Sequence, residues 1–211
     1  MNHTTSNPHF AICIGRQLGS GGYVIGQKIA QELGFKFYDS ELIYAAADRS
    51  GYSKDLFEKS DEERSAIRSF FTNCFPFLGN ADFYGNPVNE EALFSILSQT
   101  IQELSEQENC LFVGRCAEYI LRHHPNMTSI FISANMPDRI KRIAEKRGVS
   151  EERAKHLAHH NDKSRATFHD FYSNNQWGHA ATYNLCINSS VLGIDATTEL
   201  IINFIKQRFN L

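Results

Sequence analysis

Residues 10–34, FAICIGRQLGSGGYVIGQKIAQELG, decide the fold. The apolar run Phe10–Gly15 reads as a strand, and it ends in the glycine-rich turn GRQLGSGG. A helical pattern follows at once, from about Tyr23 to Leu33, with Ile25, Ile29 and Leu33 on one face and Gly34 placed to close it. Glycines lack the Cβ that keeps a backbone away from a phosphate, and the helix N-terminus behind the turn aims N–H groups and the positive end of its dipole at an anion. In the standard phosphate loop, G-x-x-x-x-G-K-[ST], a lysine reaches the outer phosphates and a hydroxyl holds magnesium. Gly22 and Tyr23 stand at those two places here. The turn has the form of a phosphate cradle without its ammonium, so a cation has to come from elsewhere in the chain.

Outward from this unit, apolar runs alternate with helical patterns. FKFYDS gives a second short strand, with Asp39 or Ser40 as cap of a helix through ELIYAAA. Residues 50–89 are aromatic-rich and broken by Pro76, Gly79, Gly85 and Pro87, which predicts an insertion of short helices and loop. NEEALFSILSQTIQELSEQ is an amphipathic helix with Asn89 as its cap. NCLFVGR is a strand, CAEYILRHH a helix, MTSIFISA a strand, and MPDRIKRIAEKR a basic helix stopped by Gly148. A polar helix from about Ser150 to Tyr172, the strand YNLCINSS and the helix DATTELIINFIKQRF complete the chain. Strands apolar on both faces and separated by helices predict an α/β fold with a parallel sheet covered on both sides.

The 211 residues suit one α/β domain with an insertion, and residues 1–9 read as a disordered lead-in. A net charge of -3 argues against a sequence-independent nucleic-acid surface, which needs a basic excess. Five cysteines without a CxxC pair suit reduced thiols better than a disulfide framework or zinc site. No run is long and apolar enough to cross a membrane, and no secretion signal opens the chain, so the expected location is the cytoplasm.

The order of these motifs, GRQLGSGGYVIGQKIAQELGFKFYDSELI, then FVGRCAEYIL, then DRIKRI, NDKSRATFHDFY, WG and YNLCINSS, resembles the cytidylate kinase-like family of P-loop nucleoside monophosphate kinases. The resemblance runs from about Ile12 to the final helix. It implies a three-layer α/β/α P-loop kinase fold over residues 10–211, with a five-stranded parallel sheet. A helical insertion at about 39–88 would bind a nucleoside monophosphate, and a basic lid at about 139–178 would cover the phosphates. ATP and Mg2+ are the implied cofactors.

Phosphoryl transfer asks mainly for positioning and positive charge. Arg16, inside the turn, is the nearest substitute for the missing lysine, since its fork can hold two phosphate oxygens; a tie to a neighbouring carboxylate is the other reading. Gly19, Ser20, Gly21, Gly22 and Tyr23 form the phosphate-binding turn. Tyr38 and Asp39, at the end of the second strand, and Arg115, just beyond LFVG, leave the sheet edge where open parallel sheets bind ligands, and are expected at the acceptor with Arg139. DKSR resembles the D-x-x-R of the family's lid, which makes Asp162, Arg165 and Arg142 catalytic candidates; Lys141 and Lys146 read as a solvated face. His156 and His160 lack a third ligand, and no metal site of protein ligands is expected. Trp177 and Tyr183 suit either the adenine or the core.

The expected function is ATP-dependent phosphoryl transfer to a nucleoside monophosphate or similar small phosphorylated acceptor, with no nucleic-acid or membrane partner. Two alternatives stay open: a nucleotide sensor without catalysis, and a partner-binding domain forming a homodimer through Phe70–Tyr84.

Overall fold

The computed structural model describes residues 9–39 and 87–211. Residues 1–8 of the expected lead-in, Ser40 with the helix through ELIYAAA, most of the insertion and the segment Phe70–Tyr84 fall outside the described residues. The chain divides into two compact units, Met1–Ser40 with Leu104–Leu211, and Glu41–Glu103. Of the second, residues 87–103 are described, and they form most of one helix.

The elements run β1 (Ala11–Arg16), α1 (Gly22–Leu33), β2 (Lys36–Tyr38), α2 (Pro87–Gln107), β3 (Cys110–Val113), α3 (Ala117–Ile120), β4 (Met127–Ser133), α4 (Met136–Arg147), α5 (Glu151–Ser173), a 3-10 turn (Ala180–Thr182), β5 (Leu185–Asn188) and α6 (Ser189–Phe209). The sheet is five-stranded and parallel, in the order β2-β3-β1-β4-β5. β1 lies at its centre, with Ile14 opposite Val113 on one side and Ile130 on the other.

Side chains alternate across the strands, and both faces are covered. Ile12, Ile14, Leu111, Val113, Ile130 and Ile132 face a layer made by Ile25 and Ile29 of α1 and Ile201 and Ile205 of α6. Each of these is essentially inaccessible to solvent, which stabilises the fold by about 1.5–3 kcal/mol per side chain. The opposite face carries Cys13, Phe112 and Phe131; Phe131 packs on Tyr183 at 5.0 Å and edge-on to Trp177 at 5.1 Å, so these two rings serve the core. The result is the expected α/β architecture, helices on both sides of a parallel sheet.

Gly34 and Gly148 close α1 and α4 in the left-handed conformation, as their places in the sequence predict. Three boundaries differ. α2 begins at Pro87 rather than after an Asn89 cap, since proline at the first helical position has no N–H to leave unpaired. The helix expected through CAEYILRHH stops at Ile120: Leu121 turns, and His124 precedes Pro125, which disfavours helical backbone. α6 starts six residues before Asp195, at Ser189, with a break at Gly193 (φ 78°, ψ 176°).

α4 and α5 form a hairpin with its own small core of Ile143, Ala154 and Ala158, against which Leu18 of the glycine turn packs. That apolar anchor sets the glycine turn against the α4–α5 hairpin.

Candidate functional site

The turn after β1 commits its carbonyl oxygens one after another. The Arg16 carbonyl accepts from Arg165 Nη1 (3.0 Å), and Gln17 from the Ser20 amide (3.3 Å) and Oγ (2.9 Å). Leu18 accepts from Arg139 Nε (2.7 Å), Gly19 from Arg142 Nη1 (3.1 Å) and Ser20 from Ser189 Oγ (2.6 Å). Gly21 accepts the first bond of α1, from the Ile25 amide (3.0 Å). Six consecutive carbonyls are thereby directed into protein. The amides of Gly22, Tyr23 and Val24 belong to the first turn of α1 and have no carbonyl four residues back within the helix. Gly22 makes only a long 3.3 Å bond to Ser20 Oγ. A backbone with its oxygens turned inward and a helix start at its end has the form of an anion cradle.

Gly19 and Gly21 are left-handed (φ 79° and 80°) and also closely covered. A Cβ on Gly19 would lie 2.8 Å from the Arg139 carbonyl, and one on Gly21 2.1 Å from Ile194 Cδ1. Neither backbone angle nor space admits another residue.

Three guanidinium groups meet at this cradle. Arg16 crosses the turn: its Cβ lies where a side chain on Gly22 would have to start, and its Nη1 is 2.1 Å from where a Cβ on Gly114 would be. Gly114 (φ 86°), Arg115 (φ 59°) and Cys116 (φ 55°) are left-handed in succession, which costs about 1–2 kcal/mol for each of the two non-glycine residues. The strained turn carries Arg115 off the end of β3 beside Arg16, with its guanidinium 5.7 Å over the Phe168 ring. Burial pushes the Arg16 guanidinium well below its ordinary range, and repulsion from Arg165 and Arg115 adds to this against the partial relief of Asp39 and Asp162. Burial likewise brings Arg165 down to about 10, with Asp162 opposing and Arg115, Arg139 and Arg147 repelling. Arginine keeps its proton regardless. The shifts express an excess of buried positive charge that an anion would relieve.

The other expected residues have defined partners. Arg139 is 3% exposed and forms an ion pair with Asp162, whose other oxygen accepts the Leu18 amide at 2.8 Å. Arg142 reaches the Gly19 carbonyl. Tyr38 donates to Glu108 (2.7 Å) and stacks on Phe112 at 5.5 Å, and burial followed by Glu108 raises its pKa. Asp39 acts on Arg16 through its charge. Tyr23 is 38% exposed, edge-on to Phe37 at 5.4 Å, with the Lys146 ammonium 5.6 Å from its ring. His156 and His160 stack at 6.2 Å on an exposed face, and no group of three His, Cys, Asp or Glu side chains among the described residues could hold a metal ion.

Sequence reasoning missed Gln17, whose Oε1 accepts from the Ala134 amide (3.1 Å), and Ser189. It also missed His169, held between Glu118 (2.9 Å) and Asp170 (3.0 Å), with Ser173 Oγ at 3.2 Å and the Tyr183 ring stacked at 6.3 Å. Burial opposes a charge on His169, but the two carboxylates outweigh it and raise its pKa. A histidine raised in the folded state stabilises below its unfolded value and loses that contribution as pH rises through the folded value. The urea midpoint of the wild-type protein is therefore expected to fall relative to His169→Gln as pH climbs from about 6.5. A difference independent of pH would refute the assignment.

The parallel sheet, the cradle after β1 and cations gathered at the strand ends define a P-loop kinase-type fold. The chain belongs to the cytidylate kinase-like family, whose model matches residues 11–191. Among solved structures it is similar to an uncharacterized protein from Eubacterium ventriosum ATCC 27560, with 28% identity over 94% of this chain and 99% of that one, at a TM-score of 0.70. The fold is shared with a shikimate kinase from Bacteroides thetaiotaomicron (14% identity, 96% of this chain and 99% of that one, TM-score 0.53). It is shared also with a gluconokinase from Sinorhizobium meliloti 1021 (10% identity, 96% and 94%, TM-score 0.54). No curated protein matches the chain. No helix among the described residues is long and apolar enough to cross a membrane.

Proposed function

We propose that the protein transfers a phosphoryl group from ATP to a nucleoside monophosphate or a similar small phosphorylated acceptor. Membership of the family supports the reaction class. The observation that carries the reading is the gathering of Arg16, Arg115 and Arg165 at a turn whose carbonyls are taken up by protein donors, that of Arg16 by Arg165 itself. Glycine amides hold the phosphate chain of ATP, and Arg16 supplies from the start of the turn the charge that a lysine at position 22 supplies in a standard loop. Arg115 binds the acceptor's phosphate, which brings acceptor and donor to one crevice in the geometry of in-line attack. Arg165 lends its remaining donors to the oxygens that gain charge in the transition state.

Magnesium would be held here by phosphate oxygens and water, with Asp39, whose charge acts on Arg16, as the carboxylate on that side of the site. When bound it neutralises charge on the phosphates.

A panel of nucleoside monophosphates incubated with MgATP is expected to release ADP with at least one acceptor. Absence of ADP from every member, with folded protein, would overturn the reading. One observation favours a second reading, a nucleotide sensor: position 22 carries no side chain, and the stem of Arg16 covers it. A sensor would be stabilised by ATP in a thermal shift assay while releasing no ADP.

A further inference from the structure

We propose that Arg139, Asp162, Arg142 and Ser189 are positioning residues, which make the glycine turn competent for phosphate by holding its oxygens from behind. The inference rests on the phosphate-site reading above and changes the part played by the α4–α5 hairpin, which forms a fixed backing of the turn.

The backbone of Leu18 is held on both sides. Its N–H donates to Asp162 Oδ1 (2.8 Å), its carbonyl accepts from Arg139 Nε (2.7 Å), and Arg139 and Asp162 pair with each other, which closes a ring around the backbone of one residue. Arg139 is buried, so its charge is balanced by Asp162 rather than offered to solvent or ligand. The next carbonyl, Gly19, is held by Arg142, and the following one, Ser20, by Ser189, which is fully buried at the start of α6. The Leu18 side chain packs into the α4–α5 core. Withdrawing these supports would free the carbonyls of Leu18, of the left-handed Gly19 and of Ser20 to rotate toward the cradle, where an oxygen dipole repels phosphate. A hinge motion that carried Arg139 and Arg142 away would break the same bonds. Three helices far along the chain from the turn, α4, α5 and α6, therefore set it, and Ser189 does so without any charge.

That neutrality makes the test. Binding of inorganic tripolyphosphate is measured by calorimetry at several salt concentrations, well below the melting temperature, for the wild-type protein and for Ser189→Ala, Arg142→Met and Arg16→Met. Ser189→Ala and Arg142→Met are expected to weaken binding roughly threefold to tenfold, the range of one lost hydrogen bond, with the salt dependence of the wild type. Arg16→Met removes a charge facing the ligand and should flatten the salt dependence as well. Unchanged affinity in Ser189→Ala would overturn the proposal, and so would a flattened salt dependence in Arg142→Met, which would make Arg142 a phosphate ligand. If the wild-type protein takes up no tripolyphosphate, the phosphate-site reading itself falls and the proposal falls with it. These outcomes are distinguishable because only the last concerns the wild-type chain.

Discussion

Arg16→Met is expected to lower the rate of ADP release at least a hundredfold while raising the melting temperature of the unliganded protein. The two effects have one cause. Removing a preorganised donor that faces developing charge takes about 10²–10³ from the turnover rate, and no ammonium stands in the turn to compensate. In the empty site, the same guanidinium is buried and repelled by Arg165 and Arg115, and its charged form is disfavoured by folding. Methionine keeps the unbranched stem that packs over Gly22 and drops the charge. Each kcal/mol recovered should raise the midpoint by about 2–4 °C in a chain of this size. Calorimetry with and without ATP checks both halves, since the variant should melt higher alone yet gain less from the nucleotide. A variant that melts lower than the wild type and keeps its turnover would show that Arg16 only braces the turn.

The second large effect comes from restoring the lysine of the standard motif. Gly22→Lys alone should be damaging, because its Cβ would lie 2.7 Å from Arg16 Cβ and 3.1 Å from Cγ. Those atoms are the fixed base of the Arg16 side chain, so the strand end or the turn has to shift. Overpacking of this kind costs about 1–3 kcal/mol. It would also push the Arg16 guanidinium off Gly114 and remove its charge from the cradle. Positions 16 and 22 share one space, so a cation can enter it from either side but not from both. The double variant Arg16→Gly with Gly22→Lys is expected to recover stability and a measurable part of ATP binding relative to Gly22→Lys. Residues that share a contact couple by about 0.5–3 kcal/mol in such a cycle. Strict additivity of the two substitutions, in both melting temperature and ATP affinity, would contradict the shared-space account.

Much of the fold is legible from local chemistry. Strands β1, β3 and β4 are continuous apolar runs, and a fully buried parallel strand leaves that trace because both of its faces meet helices. Gly34 and Gly148 announce the ends of α1 and α4 because the left-handed cap selects glycine. The early end of α3 was harder to see: CAEYILRHH has helical residues, and what governs it is the left-handed turn at Gly114, Arg115 and Cys116 before it and Pro125 after it.

The candidate site divides along the same line. Gly19, Gly21 and Gly22 are marked in the sequence as a glycine-rich turn directly after a strand, and a Cβ at each would meet Arg139, Ile194 or Arg16; Arg16 and Arg115 are marked by following a strand directly. The destinations of the side chains are not marked. Arg139 and Arg142 look like one basic helix face in sequence, yet one is buried in an ion pair and both hold carbonyls of the turn. Ser189 reaches Ser20 across 169 residues of chain, and His169 finds Glu118 on another element. By itself, then, the sequence determined the strands, the ends of α1 and α4 and the place of the glycine turn, because each follows from backbone constraints local to a few residues. Only the tertiary structure decided which charges face the cradle and which hold it from behind, because a guanidinium's role depends on the partner that long-range packing brings within hydrogen-bond reach.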